Sequence, residues 1–277
     1  MKDEMTIVEQ GIVTQVTQFE KFLDALGLPS QNVIASMDER ENIMNMLPNL
    51  IINMPEEQKH DARYLSKFVA GAAIGLFDAS LNFVWDEVVV SLRKKIIFYG
   101  LDTFFDNAVS DKFREQYKDE ADLPGIKDKV MLDTLKKLEW ISDIVYRKLC
   151  HILDMRNQIG ASHPNTYDIN SYELLGWLQT CVKEVIADKP SSSAIHVRNI
   201  IENLKNNTLE IDEITLGTIE KAVSGFSTGM AGNLLRSLFG LYISDDTLPE
   251  VRKNILKLSA VVWKYCRDDI KYDLGEK

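Results

Sequence analysis

Apolar residues recur along nearly the whole chain at spacings of three and four, while the alternating, β-branched runs that mark strands are scarce. That pattern predicts an all-α protein. The first sixty residues give a helix around Ile7 to Leu26, a turn at Gly27-Leu28-Pro29-Ser30, and a second helix around Met37 to Met46. From Asp61 to Tyr99 a long pattern places Phe68, Ala72, Leu76, Ala79, Phe83 and Val90 on one inner face. It is one core helix, or two with a break near Gly71 or Gly75, since an interior glycine costs about 1 kcal/mol relative to alanine. Phe98-Tyr99-Gly100-Leu101 closes it. Residues 102–129 predict a loop with a short helix, because Asp119-Glu120-Ala121-Asp122-Leu123-Pro124-Gly125 interrupts any continuous helix.

Helical periodicity resumes through Met131, Leu135, Leu138, Ile141, Ile144, Val145, Leu149 and Ile152, and ends near Met155-Arg156. Pro164 disfavours helix at His163, and Asn165-Thr166-Tyr167-Asp168 supplies turn and capping chemistry before a helix over about Ser171 to Ala187. Asp188-Lys189-Pro190-Ser191-Ser192-Ser193 is the clearest boundary, and further amphipathic helices follow, among them Pro249 to Tyr265. The reading divides the chain into an N-terminal helical extension (1–62), a helical domain (63–190) and a C-terminal helical segment (191–277). No internal repeat recurs.

Composition narrows the classes. The chain has 277 residues, 45% of them hydrophobic, enough for a substantial core. No apolar stretch is long enough for a membrane span, and the start, Met1-Lys2-Asp3-Glu4, lacks the pattern of a secretory signal, so the expectation is a cytoplasmic protein without a membrane partner. Cys150, Cys181 and Cys266 share no metal-ligand or disulfide spacing and are expected to be reduced. A formal net charge of −10 argues against a surface that binds nucleic acid throughout, and leaves a small local basic cleft as the form such binding would take.

The residues with the most chemistry are Arg156-Asn157-Gln158-Ile159-Gly160-Ala161-Ser162-His163-Pro164-Asn165. A guanidinium is always charged and forks onto phosphate oxygens, whereas an imidazole exchanges a proton near neutral pH. Taken singly, each has an ordinary explanation: a lone histidine near a helix end is usually a satisfied polar residue, and a lone arginine there is a cap or a surface ion pair. Asp78, Asn82, Asp86 and Glu87 invite a metal or acid/base reading, yet no histidine joins them at ligand spacing, and a solvated face or helix-end contacts explain them better. His60, His151 and His196 read as structural. Trp85, Trp140 and Trp177 sit at apolar helix positions and read as core. Lys94-Lys95 and Lys136-Lys137 are short basic pairs of ordinary solvent-facing type, and the glycines at 217, 225, 229 and 232 form no phosphate loop.

Two amphipathic helices joined across Arg156, Asn157 and His163, with six residues between the Arg and the His and a proline after it, resemble the HEPN superfamily. The match is to the longer form of that family's motif, with Asn157 at the polar position after the arginine. It covers roughly residues 63–190. The resemblance implies an antiparallel helical bundle and a metal-independent endoribonuclease, in which His163 acts as general base or acid, Arg156 binds phosphate, and Asn157 orients groups. It implies RNA as substrate, no cofactor, a 2′,3′-cyclic phosphate product, and a homodimer with a composite active site. Ser162-His163-Pro164-Asn165 has the look of members linked to abortive infection and phage defence, which suggests a toxin and an antitoxin or other regulatory protein as a partner. The alternative is a non-catalytic helical interaction or ligand-binding module.

Overall fold

The computed structural model describes residues 18–31, 33–159, 167–189 and 192–275. Among them there is no strand, so the all-α class holds. The helices are α1 (18–25), α2 (Met37–Ile51), α3 (Glu56–Asp61), α4 (Arg63–Ile74), α5 (Phe77–Tyr99), α6 (Leu101–Ala108), α7 (Asp111–Arg114), α8 (Asp128–Lys137), α9 (Asp143–Ile159), α10 (Ser171–Cys181), α11 (Ser192–Asn206), α12 (Glu213–Val223), α13 (Thr228–Ile243), α14 (Pro249–Trp263) and α15 (Asp268–Gly275). A 3-10 turn occupies Glu120–Gly125 and a π turn, Val182–Ile186, continues α10. No helix among the described residues is long and apolar enough to cross a membrane.

Contacts group the chain into two compact units that do not follow chain order: the described residues of Met1–Leu92 with Arg147–Asp188, and those of Arg93–Tyr146 with Lys189–Lys277. In the first unit α2 packs on α10 and on α4. Its core holds Ile43, Phe68, Leu81, Trp85, Leu149 and Leu174, all fully buried. In the second unit α13 packs on α14, α11 and α6, and α6 packs on α8. Leu234, Leu238, Leu258 and Val262 form its centre. Phe104 stacks on Trp140, their ring centroids 6.4 Å apart, and Tyr99 lies 5.0 Å from the same indole.

The segment Asp61–Tyr99 forms two helices, and Gly75 makes the break. It ends α4 in the left-handed region at φ 91°, with its N–H donating to the Gly71 and Ala72 carbonyls. The interruption resets the helical phase. Leu81, Val84, Val88 and Leu92 are therefore the fully buried face of α5, whereas Ala79, Phe83 and Val90, which an uninterrupted helix would bury, are only half-buried. The same happens between α8 and α9, where periodicity predicts one helix. Glu139 adopts φ 56°, the chain turns, and Ile144 emerges 67% exposed.

That turn is held from α13. Asn233 donates its side-chain amide to the Leu138 carbonyl, and the Ser227 hydroxyl lies 3.3 Å from Glu139 Oε2. Gly229 leaves the room, because a Cβ there would overlap the Glu139 carboxylate at about 2 Å. Residues 102–129 are more regular than the predicted loop: α6 and α7 precede the 3-10 turn, which Asp119 and Asp122 close with reciprocal side-chain caps. Arg114 binds Asp106 at 2.5 Å and Asp102 at 3.1 Å, tying α6 to α7.

Replacing Gly75 with alanine should lower stability by about 2–4 kcal/mol, combining left-handed strain with overlap. The added Cβ would lie 2.5 Å from Ile34 Cγ2 and 2.9 Å from the Ala35 backbone nitrogen. Thermal and urea unfolding of Gly75→Ala, with Gly217→Ala at an open helical position as control, measure this. All three cysteines are free thiols; burial pushes Cys181 up to about 12 and Cys266 up to about 11, while Cys150 is half-buried. Thiol labelling of the native protein near pH 8 should therefore modify Cys150 first, and the other two only on unfolding, as read by mass spectrometry.

Candidate active site

The final turn of α9 carries the first part of the motif. Ile152, Leu153 and Ile159 anchor the helix in its unit, Arg156 is half-buried, and Asn157 points to solvent. The helix runs to Ile159, one turn past the expected end at Met155-Arg156, so Arg156 stands in its last turn. Arg156 Nη1 donates to Asn157 Oδ1, its exposed neighbour, at 3.0 Å. Arg156 Nε is buried and has no acceptor among the described residues. Arg93 Nε and Arg252 Nε are buried in the same way, so this feature does not set Arg156 apart. The position at a helix C-terminus also suits a cation for structural reasons, because the last carbonyls carry partial negative charge.

His163 lies outside the described residues, as do Gly160 to Thr166. The chain is described again from Tyr167, whose hydroxyl donates to Glu173 Oε1 at 2.7 Å, and that carboxylate holds the phenol above its usual range. Asn170 and Glu173 cap α10 reciprocally. The buried Ser171 N–H donates to Glu39 Oε2 from α2, and Asn42 Nδ2 reaches the Ser171 hydroxyl at 3.4 Å. Thus both described borders of the motif are tied into the first unit, Ile159 by apolar burial and Ser171 by α2. Nothing in the sequence marks Glu39 for this role, since its partner lies 132 residues away.

The acidic set on α5 resolves into structural roles for two members. Glu87 is only 3% exposed and its Oε2 accepts the backbone N–H groups of Tyr64 at 2.9 Å and Leu65 at 3.2 Å, capping α4. Asn82 Nδ2 donates to the Asp78 carbonyl within its own helix at 3.0 Å. Among the described residues no three His, Cys, Asp or Glu side chains are grouped as metal ligands. His151 packs edge-on to Trp177, with centroids 6.5 Å apart, and His60 and His196 are exposed. Trp85, Trp140 and Trp177 are buried, as their periodic positions predict. Lys95 Nζ donates to the Trp140 carbonyl at 3.4 Å, and Lys136 pairs with Asp143 at 3.1 Å.

With this geometry in place, comparison with known proteins returns no matching family model, no matching curated protein and no matching solved structure.

Glu87 offers a direct test of the capping role. Glu87→Ala strands two α4 amides in a buried setting and should destabilise the protein by about 1–3 kcal/mol. Glu87→Gln keeps an acceptor oxygen and should lose less, as measured by urea unfolding.

Proposed function

We propose that the chain is a metal-independent endoribonuclease of HEPN type, with Arg156, Asn157 and His163 as its catalytic residues. The observation that supports this reading is Arg156 itself, a half-buried guanidinium on the last turn of α9 whose Nη1 donates to Asn157 Oδ1. Donor capacity of that kind suits a phosphate oxygen.

In the proposed reaction, the RNA 2′-hydroxyl oxygen attacks the adjacent phosphorus and gives its proton to a general base. The P–O5′ bond breaks, and the 5′-oxygen leaves with a proton from a general acid, giving a 2′,3′-cyclic phosphate and a 5′-hydroxyl. His163 serves as base or acid, a role for which an imidazole is matched near neutral pH. Arg156 offsets the charge that builds on the phosphate oxygens in the transition state. Asn157 accepts from the guanidinium. A substrate lacking the 2′-hydroxyl at the cleaved position has no route through this chemistry.

One Arg and one His are a sparse set, and two copies of the motif facing each other in a homodimer would place two cations in one cleft of an otherwise acidic protein. In this reading the protein acts in the cytoplasm as a toxin or abortive-infection effector in antiphage defence, restrained by an antitoxin or regulatory protein.

Purified chain should cleave single-stranded RNA in excess chelator and leave cyclic phosphate ends. His163→Ala and Arg156→Ala should each lower the rate by about 10²–10⁴. A single deoxynucleotide 5′ to the scissile phosphate should block cleavage. An intact RNA after prolonged incubation with the unmodified chain, or equal rates in all three proteins, removes the nuclease reading and leaves a helical binding module with Arg156 as a helix cap.

A further inference from the structure

A second candidate site lies in the other unit, where a concavity of about 290 Å³ opens between α7, the 3-10 turn and the start of α8. That volume is at the low end of small-molecule sites and holds one ring system with a short substituent. Phe113 and Tyr117 supply aromatic walls, and Ile126 and Val130 are apolar. Ser110, Gln116, Tyr117 and Lys127 supply the polar part of the lining. No carboxylate lines it, so its single charge is the Lys127 ammonium, on a protein whose net charge is −10.

Ser110, Gln116 and Lys127 are exposed at the rim of this open concavity. Ser110 occupies the position before α7 without making a side-chain cap, and Lys127 precedes α8 in the same way. Within the described residues the side chains of Ser110, Gln116 and Lys127, all exposed, and the Tyr117 hydroxyl make no hydrogen bond or ion pair. The Arg114 guanidinium nearby is occupied by Asp102, Asp106 and the Tyr117 carbonyl. Gly125 faces the Tyr117 ring: a Cβ there would lie 3.2 Å from the Tyr117 hydroxyl and 3.4 Å from its ring edge.

We infer that this concavity is a binding site for a small aromatic carboxylate. The ring stacks against Phe113 and Tyr117, and the carboxylate takes a charge-assisted bond from Lys127 with neutral hydrogen bonds from the Gln116 amide and the hydroxyls. Apolar and cationic lining without an opposing carboxylate selects a single negative charge on a flat apolar body. The site is independent of the motif at Arg156 and does not rest on the nuclease reading.

Benzoate titrated into the 277-residue chain, followed by amide NMR shifts and calorimetry, tests this. Saturable binding with a Kd on the order of 1 mM is expected for so small a probe, with the largest shifts confined to residues 108–130. Lys127→Gln should weaken benzoate about tenfold while leaving the uncharged benzamide unchanged. Tyr117→Ala, which removes one aromatic wall, should weaken both. Cyclohexanecarboxylate should bind less tightly than benzoate. Absence of saturation, shifts spread over the molecule, or equal benzoate affinity in the Lys127→Gln protein overturns the inference. Because Lys127 is exposed and its side chain contacts no partner in the fold, that variant keeps its structure, which an unchanged unfolding curve verifies.

Discussion

Every helix begins with amides and ends with carbonyls that its own ladder cannot satisfy, and a chain broken into many short helices meets this demand again and again. How those ends are satisfied governs the rest of the structure. Some are met locally: Ser36, Asn170, Asp212 and Ser227 each accept from the first turn of the helix that follows. Others are met from a distance, and these tie elements that sequence separates. Glu87 reaches back from α5 to the first amides of α4, Glu39 reaches from α2 to the first amide of α10, and Asn233 reaches from α13 to the Leu138 carbonyl. Each long-range cap brings a polar group into a buried place where losing its partner is costly, so each also fixes register between the helices it joins.

Helix content was legible from spacing alone, because a three-and-four pattern with almost no alternation has one physical interpretation. The helix that begins at Ser171 and the one that begins at Pro249 follow their capping and proline signals closely. Breaks were harder. A left-handed Gly75 is readable as a candidate, whereas the break at Glu139 is not, since a glutamate at positive φ is held there by Ser227, Asn233 and the bare surface of Gly229. Missing such a break carries the inner face forward in the wrong phase, which is why Ile144 reads as core and stands in solvent.

At the motif, the sequence supplies residue types and the helix supplies their attitude. Spacing says that Arg156 and Asn157 are adjacent; it does not say that the asparagine oxygen accepts from one guanidinium nitrogen while another is buried without an acceptor among the described residues. Burial and partnering are tertiary quantities and come from what surrounds α9. The same holds for the acidic cluster on α5, where Glu87 differs from its neighbours only because the start of α4 faces it. The concavity beside α7 had no signal at all, since Ser110, Gln116, Tyr117 and Lys127 share no spacing and meet only through the turns between them.

The interleaving of the two units bears on how the chain is made. Residues 93–146 belong with residues 189–277, so α6 and α8 leave the ribosome well before α13, the helix on which α6 packs. At ordinary elongation rates that interval is on the order of ten seconds, long compared with collapse of a short chain. During it, Phe104 and Phe105 already have Trp140 and Tyr117 to pack against, and only the contacts of α6 with α13 wait. The packing of α6 on α13 is thus among the last contacts of the second unit that synthesis makes possible.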